Sequence, residues 1–180
     1  MRAPVVGFVL SMVIATSASA QTILVPIHQD AGAAQQKVIA LAKAIPESAY
    51  SWRPPGARSI GEVLKHIAAD NYYLVIPLGK AAPAATNITV DFKTTADYEK
   101  RELSKAQIVS ELEASFAHLH QGFDLTTDSN LNEAVKFFGQ ERSRQRIMLA
   151  TVTHLHEHLG QLIAYARSNN ITPPWSAAGQ

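Results

Sequence analysis

Four stretches of the sequence carry apolar residues at the three- and four-residue spacing that is typical of an amphipathic helix. These stretches cover residues 26–45, 60–78, 105–123 and 142–168, and no convincing strand lies between them. An amphipathic helix is stabilised mainly by burying its apolar stripe against another element, so four such helices in one chain predict a bundle. We therefore expect an all-α fold, a four-helix bundle.

Local signals mark the ends of the predicted helices. Pro46 follows the first helix, where a proline would stop helical structure. Ser59 with Glu62, and Ser104 with Gln107, have the spacing of a capping box, in which two side chains satisfy each other's free backbone N–H groups. The second and third helices are therefore expected to begin at these two serines.

The connections between the helices differ in length. The second helix is expected to end near Leu78, and residues 79–103 predict a long irregular connection to the third helix. Connections of this length are often functional or mobile. Residues 135–139, in the last connection, are interpreted as either a short strand or a loop packed on the core.

The amino-terminal residues are organised like a signal peptide. Arg2 supplies a positive start, residues 5–14 are an apolar run, and residues 18–20 place small side chains where a cleavage site requires them. The run is too short to span a bilayer comfortably, although an uncleaved membrane anchor is the alternative. We expect residues 1–20 to be removed, leaving an exported, periplasmic or extracellular protein whose residues 21–180 form a single domain.

Charge and cysteine content exclude several function classes. The chain has 16 basic and 15 acidic residues, and removal of the leader takes away only Arg2, so the mature chain is neutral. A neutral chain argues against nucleic-acid binding, which needs a basic face. Because the chain has no cysteine, a metal site must use nitrogen and oxygen ligands, for which 7 histidines are available.

A pair of histidines on the fourth predicted helix has the spacing of a chelating site. His154 and His158 are four residues apart, which puts both imidazoles on one face of the helix. A third ligand must come from another helix, and His66 is the best candidate because it lies in the second helix beside its apolar stripe. The alternative is that these histidines are hydrogen-bonded core residues without a metal.

The other histidines are weaker candidates. His156 lies between the pair and is expected on the exposed opposite face of the helix. His118 and His120 are two residues apart and cannot both point inward; either can line a pocket or lie at the surface. His28 is expected to be solvated near the start of the first helix.

Several residues near the histidines have two interpretations. Asp70, one turn after His66, either orients that imidazole as a hydrogen-bond acceptor or is a solvated acid. Gln161 and Tyr165 continue the face of the histidine pair and either contact a bound molecule or simply pack. Gly160 costs helix stability, and we interpret it as a position where either another helix or a ligand approaches closely. No general base is evident.

Two segments and the carboxyl-terminal tail resemble the DinB-like superfamily of damage-inducible helical bundles. Residues 51–68, which contain His66, are similar to the beginning of that family's second helix. Residues 154–167 are similar to its fourth-helix signature, H-x-x-x-H-x-G-Q-L followed by an arginine, and residues 171–175 resemble its ending. The order of elements agrees over nearly the whole mature chain.

The resemblance implies a ligand set and a cofactor. One histidine on the family's second helix and two on its fourth bind a divalent ion, and they match His66, His154 and His158 here. Zinc, nickel, copper, iron and manganese all remain open as the metal. The chain departs from the family in carrying His156 between the ligands and in its predicted export, which is at odds with a cytosolic thiol cofactor.

Three functions follow as hypotheses. Better-understood relatives include low-molecular-weight thiol S-transferases and a thiol-dependent isomerase, so the first is a metal-dependent thiol transferase or hydrolase acting on a small molecule. The second is a non-catalytic metal-binding or metal-handling protein of the cell envelope. The third is a structural bundle whose histidines belong to the core. Relatives often dimerise, so a homodimer is a further expectation.

Overall fold

The computed structural model describes residues 22–177, so the predicted leader lies outside the described part of the chain. Within these residues the helices are α1 Leu24–Ala44, α2 Ile60–Tyr73, α3 Lys93–Glu99, α4 Lys105–Phe123, α5 Arg144–Ser168 and α6 Pro174–Ala177. The strands are β1 Ala134–Phe137 and β2 Gln140–Ser143. Single turns of 3₁₀ helix cover Glu47–Ala49, Ile76–Leu78 and Ala84–Thr86.

The predicted all-α bundle is confirmed. Its four long helices are α1, α2, α4 and α5; α2 packs on α4 and α5, while α1 packs on the same two helices from the other side. Their apolar stripes meet in one continuous core that includes Val38, Leu64, Leu112, Phe116 and Ile147, all fully buried. Two helices that carry histidines, α2 and α5, are therefore neighbours.

The second helix is shorter than predicted. It ends at Tyr73, and its apolar pattern continues through a 3₁₀ turn, Ile76–Leu78, in which Leu78 is still buried. Pro77 explains the difference, since a proline has no N–H to donate and its ring would clash with the carbonyl of residue 73 in a continuous helix.

The sequence predicted an irregular connection between α2 and α4, but part of this connection is helical. It contains α3, which packs on α2 and buries Thr95 and Tyr98. A helix of two turns is too short to be stable alone and too short to show a clear periodicity. Its packing on α2 therefore supplies what the local sequence does not.

Residues 134–143 form a β-hairpin, which decides between the two interpretations of residues 135–139. The strands are antiparallel, with Phe137 paired to Gln140 across a two-residue loop, Phe138 and Gly139. Both loop residues have positive φ, 47° and 74°, as tight hairpin turns of this length require. Because β2 occupies residues 140–143, α5 begins at Arg144, two residues later than predicted.

Among the described residues, no helix combines the length and the apolar character that a transmembrane span requires.

Candidate metal centre

The structure brings the three predicted ligands together. Nε2 of His154 lies 3.3 Å from Nε2 of His66 and 3.0 Å from Nε2 of His158. Each of the three residues offers a ligand atom, and these atoms all lie within 4.8 Å of one another. His66 is buried, 7% exposed, and the other two are half-buried. Three imidazole nitrogens converging on one point form the ligand arrangement of a mononuclear metal site.

Local sequence features position these side chains. Both bonds of the predicted capping box at the start of α2 are present: the Ser59 N–H donates to Glu62 Oε2 at 2.7 Å, and the Glu62 N–H donates to Ser59 Oγ at 3.3 Å. On α5 the four-residue spacing places His154 and His158 one turn apart on the face toward α2.

Hydrogen bonds at the Nδ1 atoms define the tautomers of two imidazoles. Nδ1 of His66 donates to Glu99 Oε1 at 2.7 Å, because a carboxylate can only accept. Nδ1 of His158 donates to Gln161 Oε1 at 2.9 Å, while Gln161 Nε2 donates to the Tyr165 hydroxyl at 2.8 Å. Both histidines therefore present an Nε2 lone pair to the cluster, as a metal ligand must.

Glu99 is a site residue that the sequence analysis missed. It lies at the end of α3, and its second oxygen accepts from Arg58 Nε at 3.1 Å. Although burial raises the pKa of Glu99, the hydrogen bond from His66 and the nearby Arg58 guanidinium hold it below its usual value. No spacing pattern links Glu99 to His66, because the two are far apart in the sequence and meet only through the packing of α3 on α2.

Asp70 is neither a solvated acid nor the residue that orients His66, the two interpretations offered by the sequence. The carboxylate is buried, 4% exposed, and its Oδ2 lies 3.1 Å from Nε2 of His154 and 3.5 Å from Nε2 of His66. Asp70 therefore borders the point where the Nε2 atoms converge, and Glu99 is the acceptor that orients His66. Oδ1 of Asp70 and Nδ1 of His154 are buried and lack a hydrogen-bond partner in the described part of the chain.

This donor set fits a divalent metal ion. Three imidazole nitrogens, with a carboxylate oxygen beside them, suit zinc, nickel or iron. Burial lowers the pKa of His158, which favours the neutral imidazole that a metal requires. The buried Oδ1 of Asp70, which no described residue hydrogen-bonds, is the kind of atom that a cation would satisfy.

The remaining histidines lie outside the cluster. His156 is exposed, as predicted. His118 is the inward-facing member of its pair, packed 5.2 Å from the Tyr72 ring, whereas His120 is half-buried against Gln35. His28 is less solvated than predicted, with 32% of its side chain exposed and its ring edge-on to a buried phenylalanine.

No other helix of the described structure approaches Gly160, which leaves only the approach of a ligand as the predicted reason for this glycine. The residue is exposed, and a methyl group added there would meet no atom within 4 Å in the described structure. The glycine therefore has no packing role that the structure explains.

A cavity of about 380 Å³ opens onto the histidines. His66, Asp70 and His154 line it together with Phe92, Phe137 and Phe138. A larger cleft, about 630 Å³, runs along Ser59 and Lys105 but contains none of the three histidines, so the donor atoms rather than the volume locate the site.

Residues 32–162 match the sequence model of the DinB superfamily. The chain belongs to the DinB superfamily. The match includes all three clustered histidines and the four long helices of the bundle, apart from the ends of α1 and α5. The family assignment and the helical bundle thus agree with the resemblance seen in the sequence.

Three solved structures share this DinB fold at low sequence identity. A DinB-like protein from Bacillus cereus is 16% identical, with a TM-score of 0.68 over 82% of this chain and 93% of that one. A DinB-like protein from Bacillus subtilis is 17% identical, with a TM-score of 0.62 over 82% and 94% of the two chains. An uncharacterised Escherichia coli protein is 18% identical, with a TM-score of 0.62 over 83% and 95%. No curated protein is significantly similar in sequence.

Proposed function

We propose that this DinB superfamily protein binds one divalent metal ion through His66, His154 and His158 and uses it in catalysis, as a thiol S-transferase or a hydrolase of small molecules. The observation that carries the proposal is the convergence of three Nε2 atoms, within 3.0–3.3 Å of their neighbours, at the wall of a cavity.

Catalysis is favoured because three histidines do not complete a metal's coordination. Structural zinc sites are usually closed by four protein ligands, whereas catalytic sites keep a position open to water or substrate. A divalent ion held here would supply a Lewis acid that lowers the pKa of a water or thiol bound to it. His66 and His154 face the cavity, so that position is accessible to a small molecule.

The surrounding residues have distinct tasks in this proposal. Glu99 and Gln161 keep the protons of His66 and His158 on Nδ1, which leaves both Nε2 atoms free to bind. Asp70 lies beside the same point, and its buried Oδ1 has no hydrogen-bond partner among residues 22–177, so it can accept a proton from a molecule bound there.

A non-catalytic metal-binding protein is the second candidate, and Asp70 is also the observation that favours it. If the carboxylate binds the metal, three nitrogens and one oxygen complete a four-coordinate site. An Asp70→Asn variant separates the two functions. Under the catalytic function it keeps the metal and loses turnover, whereas under the binding function it weakens metal affinity.

Metal content tests the ligand set directly. Residues 21–180, purified without a histidine tag, are expected to hold about one equivalent of metal, and His66→Ala and His158→Ala are expected to hold almost none. His156→Ala is the matched control, since this histidine lies on the same helix and is exposed. Plasma mass spectrometry gives the stoichiometry, and circular dichroism confirms that each variant is folded.

If the wild-type protein takes up no zinc, nickel, iron or manganese, the metal site is wrong and the histidines are core residues. If metal binds, the loaded protein is tested for thiol transfer and ester hydrolysis. Turnover that persists in His158→Ala would assign the activity to another site.

Export is part of the proposal. It is supported by the positive start, the apolar run of residues 5–14 and the small residues at 18–20. Amino-terminal sequencing of the protein recovered outside the cytoplasm is expected to begin at Gln21. A chain that stays in the cytoplasm with Met1 intact would contradict export and would restore a cytosolic thiol as a substrate. The homodimer stays a prediction.

A further inference from the structure

Aromatic rings form part of the wall of the cavity that His66 and His154 also line. Phe92 precedes α3, and Phe137 and Phe138 lie at the tip of the hairpin, so two separate connections supply the wall. The Phe138 ring lies 5.2 Å from Phe92 and 4.5 Å from Phe137, and Tyr73 backs the group at 5.1 Å from Phe92. These spacings and the edge-on angles are those of a packed aromatic cluster.

Neither turn geometry nor core burial explains this cluster. Phe138 has a φ of 47°, a conformation that glycine, asparagine and aspartate adopt far more readily than a phenylalanine. It remains 56% exposed and Phe92 43% exposed, so their rings gain little from the core. Large apolar side chains grouped at the rim of a cavity are typical of a ligand-binding site.

Charge around the cavity limits what it can take. Apart from the histidines and Asp70, the residues among 22–177 that line it are apolar and include no lysine or arginine. A ligand with several carboxylates would find no cationic partner there. A ligand with one anionic group has a partner only at the metal end.

A second cavity lies next to the same phenylalanines. Phe137 and Phe138 also line this second cavity of about 440 Å³, whose other walls include Tyr73, Ile76 and Val90. The hairpin tip thus lines both cavities, and Lys136 also lines the second. The cavity beside the histidines is large enough for a single aromatic ring with a short substituent.

We propose that the site takes small ligands in which one metal-binding anion, such as a thiolate, is joined to an aryl group that packs on Phe92 and Phe138. This rests on the proposed metal function and specifies its substrate class. The metal end holds the anion, and the aromatic wall selects the attached group by burying it.

The test compares two thiols that share the metal-binding head and differ in the attached group. The cobalt(II)-loaded protein is titrated, without oxygen, with phenylmethanethiol and with 2-mercaptoethanol, and binding is followed by the cobalt absorption spectrum. Burial of the ring predicts that phenylmethanethiol binds about tenfold more tightly or better.

Variants of the wall identify the source of that preference. Phe138→Asn removes the ring while keeping a residue that tolerates positive φ, and Phe92→Ala removes the second ring. Both are expected to bring the two affinities within about threefold of each other, leaving cobalt content and 2-mercaptoethanol affinity unchanged. Leu125→Ala, an apolar residue with the same 43% exposure as Phe92 but lining neither cavity, is expected to keep the preference.

Equal affinities in the wild-type protein, or a preference that survives in both phenylalanine variants, would overturn the inference while leaving the metal site intact. Failure to take up cobalt is a different result, because it removes the proposed metal function and the inference with it.

Discussion

The carboxylate of Glu99 shows how much a single residue outside the histidine cluster contributes to its geometry. It accepts from Nδ1 of His66 at 2.7 Å and is itself held by Arg58 at 3.1 Å. The chain Arg58–Glu99–His66 sets the tautomer and ring orientation of one ligand and increases its basicity. Glu99 acts through His66, so it is a positioning residue.

Replacing Glu99 is expected to weaken metal binding without removing a ligand. Glu99→Ala leaves Nδ1 of His66 without an acceptor, and we expect the affinity to fall by about 10–100-fold. Glu99→Gln keeps an accepting oxygen and is expected to retain most of the affinity. Competition against a chromophoric chelator measures both, with the exposed Glu102→Ala as the control.

Unchanged affinity in Glu99→Ala would show that the hydrogen bond to His66 does not tune the site. Equal losses in Glu99→Ala and Glu99→Gln would instead point to the charge of Glu99, because the amide retains the acceptor and lacks the charge.

At the scale of elements, the contact between α4 and the turn after α2 is unusually close. A methyl group built on Gly122 would lie 2.4 Å from Cβ of Val75, so the two segments approach only because residue 122 has no side chain. Gly160 on α5 has open space around it. In the sequence, Gly160 stood out only because a glycine lowers the stability of a helix. The structure shows instead that Gly122 is required for close packing.

These two glycines make a matched pair of alanine substitutions. Gly122→Ala is expected to lower the free energy of unfolding by about 1–3 kcal/mol, because the added methyl group would clash with Val75 and push α4 away from the turn after α2. Gly160→Ala is expected to raise it by up to about 1 kcal/mol through helix propensity. Urea denaturation of the metal-free proteins measures both, and a stabilised Gly122→Ala would contradict the close packing of α4 on Val75.

The sequence predicted the ends of helices correctly where a local motif sets them without help from tertiary packing. The capping boxes at Ser59 and Ser104 began α2 and α4 as predicted, since each is completed within four residues. The end of α2 was predicted too late because the apolar pattern continues past Pro77. The short helix α3 was missed because its stability depends on packing against α2.

For the whole molecule, one core joins all four long helices. The two tryptophans lie at different edges of this core. Trp52 packs edge-on to Tyr165 at 5.3 Å, and Lys37 lies 5.8 Å from the Trp175 ring. The first contact joins the connection after α1 to α5, and the second joins the carboxyl-terminal end to α1.

Because these edges share one core, residues 21–180 without metal are expected to unfold in a single transition. Far-ultraviolet circular dichroism and tryptophan fluorescence should give coincident urea curves. In a Trp175→Phe variant, Trp52 is the only tryptophan that fluoresces. Its urea midpoint should equal that of the wild-type protein, apart from the small change in stability that the substitution itself causes. A fluorescence transition that precedes the loss of helix would show that one edge unfolds independently.

The sequence by itself determined the four amphipathic helices, their capped starts and the pairing of His154 with His158, because each depends on residues within one or two turns of each other. It also nominated His66, helped by the resemblance of residues 51–68 to the DinB-like family. Only the tertiary structure decided that Glu99 orients His66, that Asp70 faces the converging nitrogens, and that Phe92 packs against the hairpin at the edge of the cavity. These contacts join segments distant in the chain, and they arise from how α3 and the hairpin pack on the bundle, which no local periodicity encodes.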